Sequence, residues 1–430
     1  MKPILYFPSH YFFGAVFVLA ATLPAQTPPE VAPVPLEKIV DEIVAKNPEL
    51  RFYEAEISAA KVAARISTAI KDPELSVDVG HKRVEDRSGV LLGSGTAWSV
   101  SVTQTFEWPG RLSLRKAIAN RQVELAELGL ARFQNALAAR ARAVAFGLYA
   151  ANAKASAVRE VADRFAALKQ VFVGRDPGGI TPLLETRVIE ASELALQRRA
   201  VEAELAVRSA LIELNQLRGL EPDAALRIAP PKFAFNDGPS SEALLAAARE
   251  NNFEFRIRRV ELQQQGYEVR LARHERYPAI DVKPFVSRET AGDRETVLGL
   301  GVSLPLPISG RTRGAVEMAS ARQRQAEAAA ILAERELTRD VLIAAESFAL
   351  KVAESKRWAP DAVTKFREAA DLADRHYRLG AVPIATYVEL QTSYLDAVEA
   401  LLETQREAIE AGLKLQQLTG LGSQFVEVVP

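Results

Sequence analysis

The sequence carries the same succession of structural patterns twice, with the second copy beginning near the middle of the chain. Each copy predicts a helical stretch, two strands with alternating apolar residues, a very long helical run, a glycine-containing turn and a second long helix. The clearest corresponding segments are residues 47–50 and 252–255, 106–111 and 306–311, and 214–220 and 415–421. So few strands between such long helices favour a tube-like assembly over an enzyme.

The first 25 residues predict a signal peptide and therefore export of the protein. Lys2 gives a minimal positive start, residues 11–21 form an apolar run, and residues 23–25 form a cleavage site. The run is shorter than the roughly 20 apolar residues that a membrane span needs. A proline-rich leader follows over residues 26–35. The chain has no cysteine, which excludes disulfides, thiolate metal sites, cysteine nucleophiles and lipid attachment at a processed cysteine.

The remainder of the chain predicts a mainly α-helical fold with a small β part. We expect a first structural repeat over residues 36–228, a linker over residues 229–238 and a second repeat over residues 239–430. The expected strands are about residues 74–83, 98–108, 279–288 and 296–308, and the expected long helices are about residues 111–172, 182–218, 311–378 and 383–419. Pro360 must kink or break the third of these helices.

Apolar and polar residues alternate along the predicted strands, so each strand has one apolar face and one polar face. In the first strand, Leu75, Val77 and Val79 alternate with Ser76 and Asp78. The apolar faces could pack on a second sheet, as in a soluble sandwich, or contact lipid, as in an outer-membrane barrel. The barrel is favoured by the strand lengths and by aromatic residues towards the ends of the second strand, which are Trp98, Phe106 and Trp108.

Both the strands and the helices predict that several copies of the chain assemble together. Four strands cannot close a membrane barrel, which needs at least about eight. Open sheet edges in lipid would leave backbone groups unsatisfied at several kcal/mol each, so the copies would have to share one barrel. The last helix has a coiled-coil seam that also requires partner helices. Its residues are spaced by seven and are Tyr387, Tyr394, Leu401, Ala408 and Leu415.

No set of residues has catalytic or metal-binding spacing, so we predict that the chain is not an enzyme and holds no metal or cofactor. The four histidines are far apart in the sequence, at His10, His81, His274 and His376. Residues 93–95 are glycine-rich but lack the lysine and the strand-to-helix context of a phosphate-binding loop. The net charge of −1 gives no indication of nucleic-acid binding.

Two carboxylates near the predicted helix turns have more than one interpretation. Glu389 follows the turn at Gly380, and Glu185 follows the corresponding turn at Gly178. If three copies of each turn converge on one axis, these acids would form rings that favour cations and set an electrostatic barrier. Alternatively, they are acids near helix N-termini that complement the helix macrodipole. The spacing alone leaves both interpretations open.

The order of these segments resembles the TolC-like outer membrane efflux protein family over nearly the whole chain after the leader. The likeness is carried by residues 106–111 with their counterpart 304–314, by the turn from residue 377 to residue 391, and by the Leu-x-x-Leu-x-Gly-Leu ends of both repeats. The resemblance implies a trimer in the outer membrane of a Gram-negative cell. In this arrangement a 12-stranded β-barrel is continued by a periplasmic α-helical coiled-coil tunnel.

The resemblance also implies roles for individual residues. An acidic ring past the tip narrows the closed tunnel in the family, and the corresponding positions here are Thr386 and Glu389. Thr386 departs from the acid often found there, so Glu389 is the expected gate residue. In the first repeat the matching positions are Leu184 and Arg187, with Glu185 adjacent. The tip that docks a periplasmic adaptor is expected at Arg378, Leu379, Gly380, Ala381, Gly178 and Gly179.

Within the family the chain is most similar to the CzcC-like heavy-metal efflux branch, on residues 73–75, 105–107 and 304–307. This implies a passive exit duct of a tripartite efflux system for divalent heavy-metal cations, working with a periplasmic adaptor and an inner-membrane pump of the RND type. The chain has two methionines and no cysteine, so it carries no cluster of soft-metal ligands. The alternatives are the outer-membrane conduit of a type I protein secretion system and a periplasmic coiled-coil scaffold or adaptor.

Overall fold

The computed structural model of the chain describes residues 32–173, 180–236, 238–306, 310–359, 361–422 and 425–429. The expected signal peptide, most of the proline-rich leader and the turn residues Gly178 and Gly179 lie outside these ranges. Residues 307 and 308, the expected end of the fourth strand, also lie outside them.

The described elements follow one another in the same order in both halves of the chain. The helices are α1 (Leu36–Lys46), α2 (Leu50–Thr68), α3 (Arg111–Val173), α4 (Ile180–Arg218), α5 (Ser241–Asn251), α6 (Phe253–His274), α7 (Arg311–Arg357), α8 (Ala362–Arg378) and α9 (Ile384–Thr419). The strands are β1 (Glu74–Glu85), β2 (Leu91–Phe106), β3 (Lys232–Phe235), β4 (Ile280–Ala291), β5 (Asp293–Ser303) and β6 (Val426–Val429). The succession from α1 to β3 is repeated from α5 to β6, with the counterpart of α3 divided into α7 and α8.

The four longer strands form one antiparallel sheet in the order β1-β2-β4-β5. Each half contributes one hairpin, and β2 pairs with β4 where the two hairpins meet. The register places Val77, Val100, Val286 and Leu298 in one row across the four strands. Strands β1 and β5 are at the edges, so the described sheet is open within one chain.

One face of this sheet is apolar and exposed, as the alternation predicts. Val79 is 78% exposed and Leu298 is 83% exposed. Other side chains of this face that are more than a third exposed are Leu75, Val77, Trp98, Val102, Phe106, Leu300 and Val302. The opposite face is polar, and there the Ser99 hydroxyl donates a hydrogen bond to the Asp78 carboxylate at 2.8 Å. An apolar face of this size requires lipid or another protein to cover it.

The strand boundaries differ from those predicted from the sequence, most clearly in the first hairpin. Strand β1 continues to Glu85, and β2 begins at Leu91 and not near residue 98. The turn between them is short because the Asp86 carboxylate accepts hydrogen bonds from the backbone N–H groups of Ser88 and Val90, each at 2.8 Å. Strand β2 also ends at Phe106, so that Trp108 lies just beyond it, and β5 ends at Ser303.

Two glycines explain why part of β2 was mistaken for a loop. Gly93 and Gly95 lie inside the strand, where glycine normally weakens β structure. A Cβ atom at Gly95 would lie 1.7 Å from the carbonyl oxygen of Thr290, and one at Gly93 would lie 2.5 Å from that of Ala291. The glycines therefore allow the end of β4 to approach β2 closely.

Long helices extend from the sheet in both halves. Helix α3 has 63 residues, which corresponds to about 95 Å at 1.5 Å per residue. The helix expected over residues 311–378 is divided into α7 and α8 between Arg357 and Ala362, the stretch in which the sequence predicts a kink or break. The apolar positions that step along α7 are all buried, which confirms that stripe, and are Leu337, Val341, Ala344, Phe348 and Val352.

Each half of the chain is held together by an equivalent asparagine, in the same way. Asn47 donates a hydrogen bond from its side chain to the Leu217 carbonyl at 2.9 Å. Asn252 donates the corresponding bond to the Leu418 carbonyl at 3.1 Å. Both asparagines are buried, and each connects the start of a helix to the end of the last long helix of its repeat. The correspondence between residues 47–50 and residues 252–255 therefore reflects a buried hydrogen bond that occurs in both repeats.

We expect Asn252→Ala to lower the stability of the folded protein by about 1–3 kcal/mol, because the buried carbonyl of Leu418 would lose its donor. Asn152→Ala is a matched control, because Asn152 is exposed and its side-chain amide donates to the Leu148 carbonyl of its own helix, at 2.9 Å. Thermal unfolding of the detergent-purified protein, followed by circular dichroism, measures the difference. Equal unfolding temperatures for the two variants would contradict the role of Asn252.

The segment expected to be a linker contains a strand that the sequence did not indicate. Strand β3 pairs in antiparallel fashion with β6 near the end of the chain. Phe425, just before β6, is fully buried and packs edge-on against Phe348 at 5.7 Å between ring centroids. Gly412 of α9 permits this packing, since a Cβ atom there would lie 2.3 Å from Val426. Residues 229–238 were therefore wrongly interpreted as a linker alone.

Candidate functional site

The turn between α8 and α9 forms one end of the second helical hairpin. Gly380 has a positive φ of 74°, and its N–H donates to the Tyr377 carbonyl at 2.9 Å. The Ala381 N–H donates to the His376 carbonyl, also at 2.9 Å. This pair of hydrogen bonds is the Schellman motif that ends a helix at glycine. Leu379 precedes the glycine and is 80% exposed, so the turn presents an apolar side chain to its surroundings.

Three aromatic rings pack together directly behind this turn. Tyr377 of α8 stacks on Tyr387 of α9 with 5.2 Å between ring centroids. Phe165 of α3 contacts Tyr387 at 5.1 Å. Tyr387 is fully buried, and burial raises the pKa of both phenols above their ordinary value. The tyrosines are therefore uncharged at neutral pH and act as a packed apolar core for the end of the hairpin.

A hydrogen-bonded cluster around Arg164 connects α3 with α8 and α9. The Arg164 guanidinium donates to the Gln391 side-chain oxygen at 3.0 Å and to the Glu160 carboxylate at 2.6 Å. It also forms an ion pair with Asp371 of α8. Gln391 is 1% exposed, and its amide donates to the Ala370 carbonyl at 2.8 Å. Removing the guanidinium would leave a buried amide oxygen and a carboxylate without their donor.

Glu185 takes part in a contact between the two hairpins. The Tyr377 hydroxyl donates a hydrogen bond to the Glu185 carboxylate at 3.4 Å. Burial raises the pKa of the Tyr377 hydroxyl above its ordinary value, and the negative charge of the Glu185 carboxylate raises it further. Glu185 is half-buried and connects α4 to α8. Within one chain it is therefore a hydrogen-bonded side chain, in contrast to the free ring acid considered from the sequence.

Glu389 is exposed, and within the described residues it forms no hydrogen bond or ion pair. Thr386, one turn earlier on α9, is half-buried. Arg378 pairs with Asp374 of its own helix at 2.9 Å, so its charge is compensated within α8. Of the residues expected at the aperture, Glu389 is thus the one with an exposed carboxylate that has no partner within the described residues.

Sequence reasoning missed the residues that join the helices at this end. Arg164, Tyr377 and Gln391 were not assigned a role in contacts between helices. One signal was present, because a polar Gln391 follows the seam residue Tyr387 by one helical turn. The partners of Arg164 on α8 and α9 lie more than two hundred residues away in the sequence, at separations of 207 and 227.

The exposed aromatic residues of the second strand lie at two separate places. Trp98 lies at the middle of β2, whereas Phe106 and Trp108 lie at its end, and each of the three is more than a third exposed. Their place at a lipid interface stays a prediction. Trp108 stacks on Tyr277 at 5.3 Å between ring centroids and an angle of 15°. Tyr277 lies between α6 and β4 and was not recognised from the sequence. The pair lies at the junction between the sheet and the long helices.

Within the described residues, no group of three or more histidine or acidic side chains is arranged to hold a metal ion. Over the same residues, none of the helices combines the length and the apolar character needed to cross a membrane.

Comparisons with known proteins found a family match within the second repeat and a structural similarity over most of the chain. Residues 244–421 match the family described as outer membrane efflux protein. A comparison with curated protein sequences gave no match. The family match agrees with the interpretation of the chain as a passive conduit and not an enzyme.

Solved structures share the architecture over most of both chains. A membrane protein from Pseudomonas aeruginosa is 20% identical, with a TM-score of 0.72 over 90% of this chain and 93% of that one. The CmeC outer membrane channel of Campylobacter jejuni is 15% identical, with a TM-score of 0.70 over 91% and 86%. The MtrE outer membrane channel of Neisseria gonorrhoeae, in its open state, is 18% identical, with a TM-score of 0.69 over 90% and 88%.

At these identities the likeness establishes the fold. The prediction of a mainly helical chain with a small sheet is confirmed, and the CmeC and MtrE outer membrane channels share its arrangement. The closed 12-stranded barrel, the trimer and the CzcC-like branch stay predictions.

Proposed function

We propose that this protein is an outer-membrane exit duct that passively conducts substrates through a trimeric barrel and a periplasmic helical tunnel. The observation that carries this proposal is the exposed apolar face of an open four-stranded sheet, from which helices of up to 63 residues extend. Lipid covers such a face, and the polar opposite face then lines a water-filled lumen. The match of residues 244–421 to the outer membrane efflux proteins supports the same function.

An assembly of three copies would cover two surfaces that are unpartnered in the single chain, namely the edges of the sheet and an apolar stripe on α4. The free edges of β1 and β5 can pair between neighbouring copies, which closes a barrel without open edges in lipid. Helix α4 also has a stripe of exposed apolar residues that suits a neighbouring helix, and its members are Leu194, Val201, Leu205 and Ile212. Both features call for the same assembly around one axis.

A cysteine on each edge strand tests this assembly. Val77 of β1 and Leu298 of β5 lie three strand spacings apart within one chain, about 14 Å, which is too far for a disulfide. The chain has no cysteine of its own. We expect Val77→Cys combined with a cysteine at Leu298, Leu300 or Val302 to give oxidised ladders that end at three chains on non-reducing gels. Single-cysteine variants are the controls, and ladders that stop at two chains would contradict the trimer.

We further propose that the end of the helical hairpins forms the periplasmic aperture and the docking tip. Glu389 and Thr386 would face the passage, Glu185 and Tyr377 would hold the two hairpins together, and the exposed Leu379 would contact a periplasmic adaptor. An inner-membrane pump of the RND type would deliver substrates through that adaptor. The resemblance to the CzcC-like branch supports divalent heavy-metal cations as cargo, and loss of metal resistance on deletion of the gene tests this point.

We expect Glu389→Gln to lower the preference for cations over anions in planar bilayers by about twofold or more, since three carboxylates around one passage attract cations. Glu336 is an exposed acid on a different helix, α7, and Glu336→Gln should leave the preference for cations unchanged. Reversal potentials measured in a salt gradient give the comparison. An unchanged reversal potential in Glu389→Gln would remove this residue from the aperture.

A further inference from the structure

A groove of about 810 Å³ lies between the end of α6 and the beginning of α7. Arg273 and Arg276 line it from the α6 side, and Arg313 lines it from the α7 side. Glu317 is the acid in this lining, and it pairs with Arg313 at 3.2 Å. Arg273 and Arg276 are exposed and form no ion pair within the described residues. The groove is therefore strongly positive, with two guanidinium groups available to a ligand.

The position of the groove indicates what could fill it. Helix α6 ends at His274 and β4 begins at Ile280, so Arg273 and Arg276 lie where the helices meet the sheet. Tyr277 lines the groove and also stacks on Trp108. The same aromatic pair ends the apolar sheet face, which places the groove next to the boundary between apolar and polar surroundings.

We propose that this groove binds the phosphate group of an anionic phospholipid from the periplasmic leaflet, an assignment that rests on the membrane location proposed above. Guanidinium groups bind phosphate oxygens in a bidentate manner, and basic pockets beside membrane segments hold anionic headgroups. The stacked Trp108 and Tyr277 rings lie level with the glycerol and the upper acyl chains. The uncapped first turn of α7, which has no acidic residue, adds N–H donors on the same side.

The experiment uses the full protein assembled in nanodiscs of phosphatidylcholine with a small fraction of phosphatidylglycerol. Native mass spectrometry then counts the lipids that stay bound on release from the disc. We expect wild type to retain phosphatidylglycerol over phosphatidylcholine by about tenfold relative to the disc composition. Arg273→Gln with Arg276→Gln should lose this preference, and Arg273→Lys with Arg276→Lys should retain part of it.

The matched control carries the same charge change elsewhere on the helices. Arg322 and Arg324 are exposed on α7 away from the groove, so Arg322→Gln with Arg324→Gln should retain the wild-type preference. Equal retention in the groove variant and the control would overturn the proposal. Binding of inorganic phosphate that displaces the lipid at millimolar concentration would also overturn it, because the site would then be a general anion site.

Failure of this inference is distinguishable from failure of the proposed function. A protein that enters the nanodiscs and conducts ions but shows no lipid preference refutes the headgroup site and leaves the exit duct intact. A protein that does not enter the nanodiscs refutes both. Circular dichroism spectra of all the variants identify any that are misfolded, and the lysine variant keeps the test decisive if the glutamine variant is unstable.

Discussion

Leu298→Arg is expected to abolish recovery of the protein from the outer-membrane fraction. Leu298 lies on the apolar face of β5, is 83% exposed in the single chain, and shares a row with Val286, Val100 and Val77. An arginine facing lipid costs about 2–4 kcal/mol near the middle of the bilayer. The cost applies in each of the three copies that would share one barrel. Membrane fractionation followed by immunoblotting measures the result.

The adjacent residue, Val297, supplies a control in which the same arginine is placed on the opposite face of the sheet. Val297 is also an exposed aliphatic residue, but it pairs with Ser287, which places it on the polar face. Val297→Arg introduces the same side chain one position away, on the face proposed to line the water-filled lumen, and should leave membrane recovery near that of wild type. Similar losses in both variants would show that arginine disturbs the strand itself and would contradict a lipid-facing surface.

The sheet was predictable because alternation with a period of two can be read directly from one sequence. The apolar residues Leu75, Val77 and Val79 were identified in this way, and they lie on the exposed face. The start of β2 was missed because Gly93 and Gly95 suggest a loop. Their real role is to let β4 approach, and this depends on residues almost two hundred positions away that a local pattern cannot reveal.

The candidate site was predictable only in part, for the same physical reason. The turn at Gly380 and the seam residue Tyr387 follow from local signals, since glycine ends helices and the heptad pattern marks buried positions. The contacts of Arg164 depend on how three helices pack, and its sequence neighbours give no indication of Asp371 or Gln391. For Glu185 the spacing left two interpretations open, and its contact with Tyr377 depends on a residue 192 positions away that the local pattern does not reveal.

Arg164→Ala is expected to loosen α8 from α3 and to increase ion conductance through the duct. The guanidinium satisfies Gln391, which is 1% exposed, and pairs with Glu160 and Asp371. Leaving a buried polar group unsatisfied costs about 1–3 kcal/mol in each copy. In the proposed trimer three copies would surround one aperture, so their costs would all favour separation of the helices. Single-channel recordings measure the conductance, and hydrogen exchange along residues 362–378 reports local opening.

Arg159→Ala is the matched control for this effect, because Arg159 lies on the same helix but is exposed. Its ion pair with Glu204 spans 3.2 Å between side chains that are 69% and 46% exposed, and exposed pairs of this kind contribute about 0–1 kcal/mol. Conductance and hydrogen exchange in α8 should therefore stay near wild type. If Arg159→Ala opened the duct as much as Arg164→Ala, loss of positive charge and not the buried cluster would control the aperture. If neither variant changed the conductance, the narrowest point of the duct would lie elsewhere, and the cluster would serve only to pack the helices.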